Sequence, residues 1–221
     1  MITQTNIPIG PYMKFRFIFI ILVNLASTSF AQIVPEELKG TNQITFMPMQ
    51  IEGKLGGCSL VFDAIILDQV YQNGDPVFVG GNITFYANTK GLLLGLKLGT
   101  TNITNKKPRA PYFAYLQTDS ASTSKLGPKI SDGDKEGFKL FFYPIKDEMF
   151  KVYDEMTRTK KVTIGYNYHK GGMDVLLPID LTVKEVVTKG KINRKIHSDE
   201  MMRQFLDCSS KLADSIQKEL H

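Results

Sequence analysis

The sequence predicts a β-rich α+β domain, mostly antiparallel sheet or sandwich, with one inserted helix and a C-terminal helix packed on the sheet. Three observations carry this. Apolar residues recur chiefly at every second position, in short runs bounded by Gly, Asn, Pro or Thr. Only two segments show the three- and four-residue spacing of a helix face, one from Asp147 to about Thr159 and one starting at Ser198. No internal repeat or low-complexity tract divides the chain.

An export signal precedes the domain. From Met13 onward, Lys14 and Arg16 form a charged region and Phe17 to Ala26 an apolar one, and Ser29-Phe30-Ala31 places small residues three and one before a cut. The apolar run is about half of the ~20 residues that a bilayer span requires, so no permanent membrane span is expected. The reading is a true start at Met13, cleavage after Ala31 (residues 1–31 as signal), and one exported domain over 32–221 in the periplasm or outside the cell. In such an oxidising compartment the two cysteines, Cys58 and Cys208, are expected to pair.

The elements follow in order. "QITFMPMQI" is the first strand. Cys58 to Leu67 is apolar on both alternating faces, which suggests a central strand covered on both sides. "YQNGDP" supplies turn chemistry, then come the short runs "VFV", "NITFYA" and "LLLGLKL". In the last, leucines line one face while Gly91, Gly95 and Gly99 leave the other bare, as a bulge, bend or close backbone approach would need. "KPRAPYFAYLQT" carries a strand and "DSASTSKLGPKISDGDKEG" reads as a long polar loop. After "FKLFFYPI", a helix capped by Asp147 presents Met149, Phe150, Tyr153 and Met156. "VTIGYNY" and "MDVLLPIDLTV" form a hairpin through "HKGG", with Val175, Leu177, Ile179, Leu181 and Val183 inward. "KGKINRKIHS" reads as a solvated linker. In the last helix Phe205, Cys208, Leu212 and Ile216 make the buried stripe, so a disulfide would staple that helix to the start of the central strand.

Composition narrows the function. An apolar share of 43% is that of an ordinary globular domain rather than a disordered one. The net charge of +5 falls to +3 without Lys14 and Arg16, too little for the concentrated basic face that nucleic acid demands. Only three histidines occur, none at ligand spacing, so no zinc site is expected, and no cofactor or phosphate-binding motif is present. In "DGDKEG", Asp132, Asp134 and Glu136 suit the start of a calcium loop, but its twelfth position is Tyr143, and an acidic surface turn fits better.

Three carboxylates remain as catalytic candidates: Asp63, set in an apolar strand, and Asp174 and Asp180, which share the outward face of one strand. Tyr166 and Tyr168, with Asp174 and Asp180, are candidate binding residues, because a tyrosine joins an apolar body to a polar tip. Tyr112, Tyr115 and Tyr143 also lie on expected strands. Asn82 and Asn102 match the glycosylation acceptor pattern. These observations favour a protein-binding module, of the inhibitor or immunity type by its build, that meets a protein partner through an exposed apolar or tyrosine-rich patch around Asp174, Leu176 and Asp180. The alternatives are a hydrolytic enzyme using converging carboxylates and a small-ligand carrier with an apolar cavity.

Overall fold

The computed structural model describes residues 34–88, 91–144, 146–189 and 192–219, so the export signal and its cut lie outside the described residues. Four long strands come first, β1 (Gly40–Ile51), β2 (Lys54–Asp68), β3 (Asp75–Asn88) and β4 (Gly91–Asn102), each antiparallel to the next. They are followed by β5 (Pro108–Arg109), β6 (Phe113–Gln117), β7 (Lys129–Asp132), β8 (Phe138–Tyr143) and the helix α1 (Asp147–Thr159). The chain then runs through β9 (Lys161–Asn167), β10 (Val175–Asp180), β11 (Val183–Lys189), β12 (Ile192–His197) and the helix α2 (Glu200–Glu219). Three sheets result: a large one in the order β1-β2-β3-β4-β8-β7 with β5 beside β4, a three-stranded one in the order β10-β9-β6, and the hairpin β11-β12.

Local chemistry sets the turns. Glu52 and Gly53 both take positive φ, 51° and 78°, with Ile51 opposite Lys54, which is the two-residue hairpin turn whose twist matches the flanking strands. After β2, the Asp68 carboxylate accepts hydrogen bonds from the backbone N–H groups of Val70 and Tyr71, both at 2.9 Å, and left-handed Asn73 and Gly74 return the chain to Asp75.

The core lies on one face of the large sheet. Leu60, Phe62, Ile83, Leu94, Leu96 and Phe141 are buried there. Against them stand Ala114 and Leu116 of β6, Val162, Ile164 and Tyr166 of β9, and Val175, Leu177 and Ile179 of β10; Met149, Val152 and Met156 of α1 and Met202, Phe205 and Leu212 of α2 complete it. The inward row of the hairpin continues through Leu181 and Val183, both buried, as the alternation predicts. Each such leucine or phenylalanine stabilises the fold by about 1.5–3 kcal/mol on burial. Cys58 and Cys208 are bonded, with Cα atoms 5.9 Å apart, and tie α2 to β2.

Several expectations need correction. The helices and the small sheet all pack on the face of β2 that holds Cys58, Leu60, Phe62 and Ala64; the Val61, Asp63, Ile65 face is half-open and Leu67 is exposed. The strand is therefore covered on one side only. The bare glycine face of β4 receives aromatic rings rather than another backbone: a Cβ at Gly95 would lie 2.5 Å from the Tyr86 ring, and one at Gly99 2.7 Å from the Phe138 ring. β3 runs unbroken through Gly80 and Gly81, where two short runs were expected, because a Cβ at Gly81 would fall 2.0 Å from the Lys97 carbonyl oxygen and glycine alone fits. The long polar loop contains β7, and the basic linker contains β12, the second strand of the hairpin β11-β12. In α1 the buried face is Met149, Val152, Glu155 and Met156, while Phe150 is exposed. Lys146, in extended conformation, occupies the N-cap without a side-chain hydrogen bond, and Asp147 sits in the first turn.

Candidate functional site

The outward face of the three-stranded sheet carries most of the chemistry. Register places Phe113, Tyr115 and Gln117 of β6 beside Asn167, Gly165 and Thr163 of β9, and these beside Leu176 and Pro178 of β10. Alternation turns Ala114 and Leu116 into the core, so their neighbours on β6 must face out.

At one end of this face Asp174 is held in a fixed geometry. Tyr115 donates from its hydroxyl to Asp174 Oδ2 at 3.0 Å, and Asn167 Nδ2 donates to Oδ1 at 2.8 Å. The Tyr115 ring reaches across β9 because Gly165 has no side chain: a Cβ there would lie 2.2 Å from the ring. Burial, reinforced by the hydrogen bond to Asp174 and by its charge, pushes the Tyr115 phenol up to about 12. Around this carboxylate Met173, Leu176 and Tyr112 are 74%, 56% and 51% exposed, an apolar and aromatic surround that water does not favour.

At the other end of the face lies an open groove of about 630 Å³, lined in part by Thr41, Gln117, Lys161, Thr163, Asp180 and Lys195. Asp180 accepts from the backbone N–H and hydroxyl of Thr182, at 2.9 and 2.6 Å. His197 Nδ1 lies 2.8 Å from that hydroxyl and 3.8 Å from Asp180 Oδ2. Lys195 donates to the Lys39 carbonyl at 2.7 Å; burial lowers its pKa, and the Asp180 charge opposes the shift.

The three candidate carboxylates do not meet. Asp174 and Asp180 are six residues apart along an extended chain, about 20 Å at the rise of a strand. Asp63 projects from the half-open face of the large sheet, on the side away from the core, where burial raises its pKa. The three share no common reacting centre, and of them Asp180 has His197 and Lys195 as its neighbours.

The candidate tyrosines divide differently. Tyr166 is fully buried and Tyr168 is 9% exposed, so neither ring is itself open to solvent. Burial raises the pKa of each, and the Asp68 charge adds to both shifts. Tyr143 is buried too and donates to the Ala114 carbonyl at 2.9 Å, whereas Tyr112 is exposed outside any strand. Asp132 pairs with Lys139 at 2.5 Å and Asp134 with Lys97, so this turn spends its charge within its own sheet. Asn102 is buried, its amide nitrogen donating to Gln72 and Asp75, which closes that glycosylation pattern in the folded chain. Asn82 is half-buried and accepts from the Thr84 hydroxyl at 3.1 Å.

Sequence reasoning placed Asp174 and Leu176 on an outward face but did not find Tyr115 and Asn167 as the partners of that carboxylate. The available signal was Gly165, a glycine inside a strand, which asks what covers it. No match to this chain was found among known protein families, curated proteins or solved structures.

Proposed function

We propose that this chain is an exported protein-binding module, of the inhibitor or immunity type, and that it meets its partner through the outward face of β10, β9 and β6. The observation that carries this reading is the side-by-side placement of exposed Met173, Leu176 and Tyr112 with a carboxylate pre-oriented by Tyr115 and Asn167. Apolar side chains supply desolvation on contact, and a fixed acceptor supplies direction without a further ordering cost. The exported location rests on the N-terminal pattern and accords with the disulfide. Among the described residues no helix is long and apolar enough to cross a membrane.

The test is a photo-crosslinking residue at Leu176, compared with one at Ile130, which is 41% exposed on β7 of the other sheet. With the protein expressed in its source and recovered from the exported fraction, a discrete adduct is expected at Leu176 and not at Ile130. That adduct should weaken when Met173→Lys is introduced, and an enzyme partner should lose activity in the complex. Equal labelling at the two positions, or none at Leu176, removes the interaction reading.

A further inference from the structure

At the end of the small sheet next to Met173, Arg109 is held in an arrangement that its role in the fold does not require. It lies in Pro108-Arg109-Ala110-Pro111, where two prolines restrict the backbone. Its main chain pairs with Thr100 of β4, and the Thr100 hydroxyl donates to the Arg109 carbonyl at 2.7 Å. The same hydroxyl lies 2.7 Å from that of Tyr168. One threonine thus fixes both the arginine backbone and the ring beneath it.

The guanidinium carbon sits 3.8 Å from the centroid of the Tyr168 ring and 5.5 Å from that of Tyr71. These two rings meet edge to face, with centroids 5.0 Å apart. Tyr71 is itself anchored, its hydroxyl donating to the Met173 carbonyl at 2.6 Å and its N–H to Asp68. Stacking occupies the flat face of a guanidinium and leaves the N–H groups at its edge free, the edge that matches a carboxylate. Arg109 is exposed, and among the described residues no carboxylate lies within ion-pair distance of it.

None of the nearby acids pairs with Arg109. Asp68 is fully buried, its Oδ1 accepting from two backbone N–H groups and its Oδ2 without a hydrogen-bond partner, Asp174 is held by Tyr115 and Asn167, and Asp75 accepts from Asn102. Basic side chains gather instead: the His169 ring lies 5.7 Å from that of Tyr71, Lys170 follows it, and Lys107 precedes Pro108.

We propose that the cluster of Tyr71, Tyr168, Arg109 and His169 binds a carboxylate borne by the protein partner, with Arg109 as the residue that reads it. This deepens, and rests on, the interaction reading above. The planar fork of a guanidinium fits the two oxygens of a carboxylate in a bidentate pair. Its contact chain through Tyr71 to exposed Met173 sets the acidic group beside an apolar contact, as on a polypeptide surface.

The probe is a hexaglutamate peptide added to isotope-labelled, disulfide-intact protein, with backbone amides and the arginine Nε–H signals followed by magnetic resonance. Saturable shifts at Arg109, His169 and Lys170 are expected, weaker at higher ionic strength and absent with hexaglutamine. Affinity should fall by about tenfold in Arg109→Gln. Arg109→Lys, which keeps the charge without the planar fork, should fall most of the way as well. Unchanged affinity in Arg109→Gln, shifts spread over all surface lysines, or equal competition by inorganic phosphate would each overturn the proposal. Peptide binding that persists when the Leu176 adduct is missing would sink the interaction face alone. A Leu176 adduct with no peptide response would sink the carboxylate site alone.

Discussion

Gly165 is small so that Tyr115 can be large. The ring of Tyr115 lies where a Cβ would be, so Gly165→Ala must displace it and release Asp174 from its hydroxyl. A loss of about 1–3 kcal/mol is expected, the usual cost of overpacking, and urea denaturation will read it. Tyr115 also carries a pH signature. Its folded pKa, about 12, stands above the ordinary 10.0, so its contribution is fully present below pH 10 and is lost as pH climbs towards 12. Alkaline titration followed by tyrosinate absorbance should lose an ionisation near 12 in Tyr115→Phe. A third position works in the opposite direction. Glu52 holds a left-handed φ of 51° in the tight β1-β2 turn, a conformation that asparagine tolerates better. Glu52→Asn is expected to raise Tm by about 2 °C in a scanning calorimeter. The outward placement of Asp174 was legible because alternation along β10 is strict. Its partners were not, since Tyr115 is 59 residues away in sequence and only the register of β6 against β9 brings it near.

At the scale of elements, the two helices are secured in different ways. Glu155 sits on the buried face of α1, and its Oε2 accepts from the Thr118 hydroxyl at 2.6 Å, the Ser120 hydroxyl at 2.5 Å and the Ser120 N–H at 3.2 Å. These bonds, first those of Ser120, hold its carboxyl below the ordinary 4.5, so the loop after β6 is anchored above that pH and loosened as pH falls through the lowered value. Limited proteolysis should cut between Thr118 and Leu126 faster at acid pH, and faster at every pH in Glu155→Ala. The second helix, α2, depends on the disulfide. Converting Cys58 and Cys208 to alanine together is expected to cost up to about 5 kcal/mol in the chain-entropy description of so long a loop, with amide exchange rising first in α2. Both helices were visible in advance as spaced apolar residues, and so was the pairing of the cysteines. The hairpin β11-β12 was not: its basic residues alternate with Val186, Val187 and Ile196 on a ribbon that packs on its neighbours only in part, so composition resembled a linker. The aromatic cover of the Gly95 and Gly99 face was hidden for a related reason, because Tyr86 and Phe138 come from the strands on either side.

For the whole molecule, the two-layer arrangement explains why Asp63 stays apart from Asp174 and Asp180, since outward faces of stacked sheets look in opposite directions. Alternation shows which residues leave the core but not which sheet they leave from, and that is the part of the site that sequence does not carry. Covalent topology has its own consequence. The bond from Cys58 to Cys208 encloses everything from near the start of β2 to the first half of α2, whereas β1 lies wholly outside the loop. Tension applied between Val34 and Glu219 would therefore run from β1 into Cys58, across the sulfurs and out through the end of α2. Most of the domain carries no load on that route. β1 and the end of α2 are the parts that such a pull can extend before it meets the covalent link, and the face that holds Tyr115, Asp174 and Arg109 lies inside the sheltered loop.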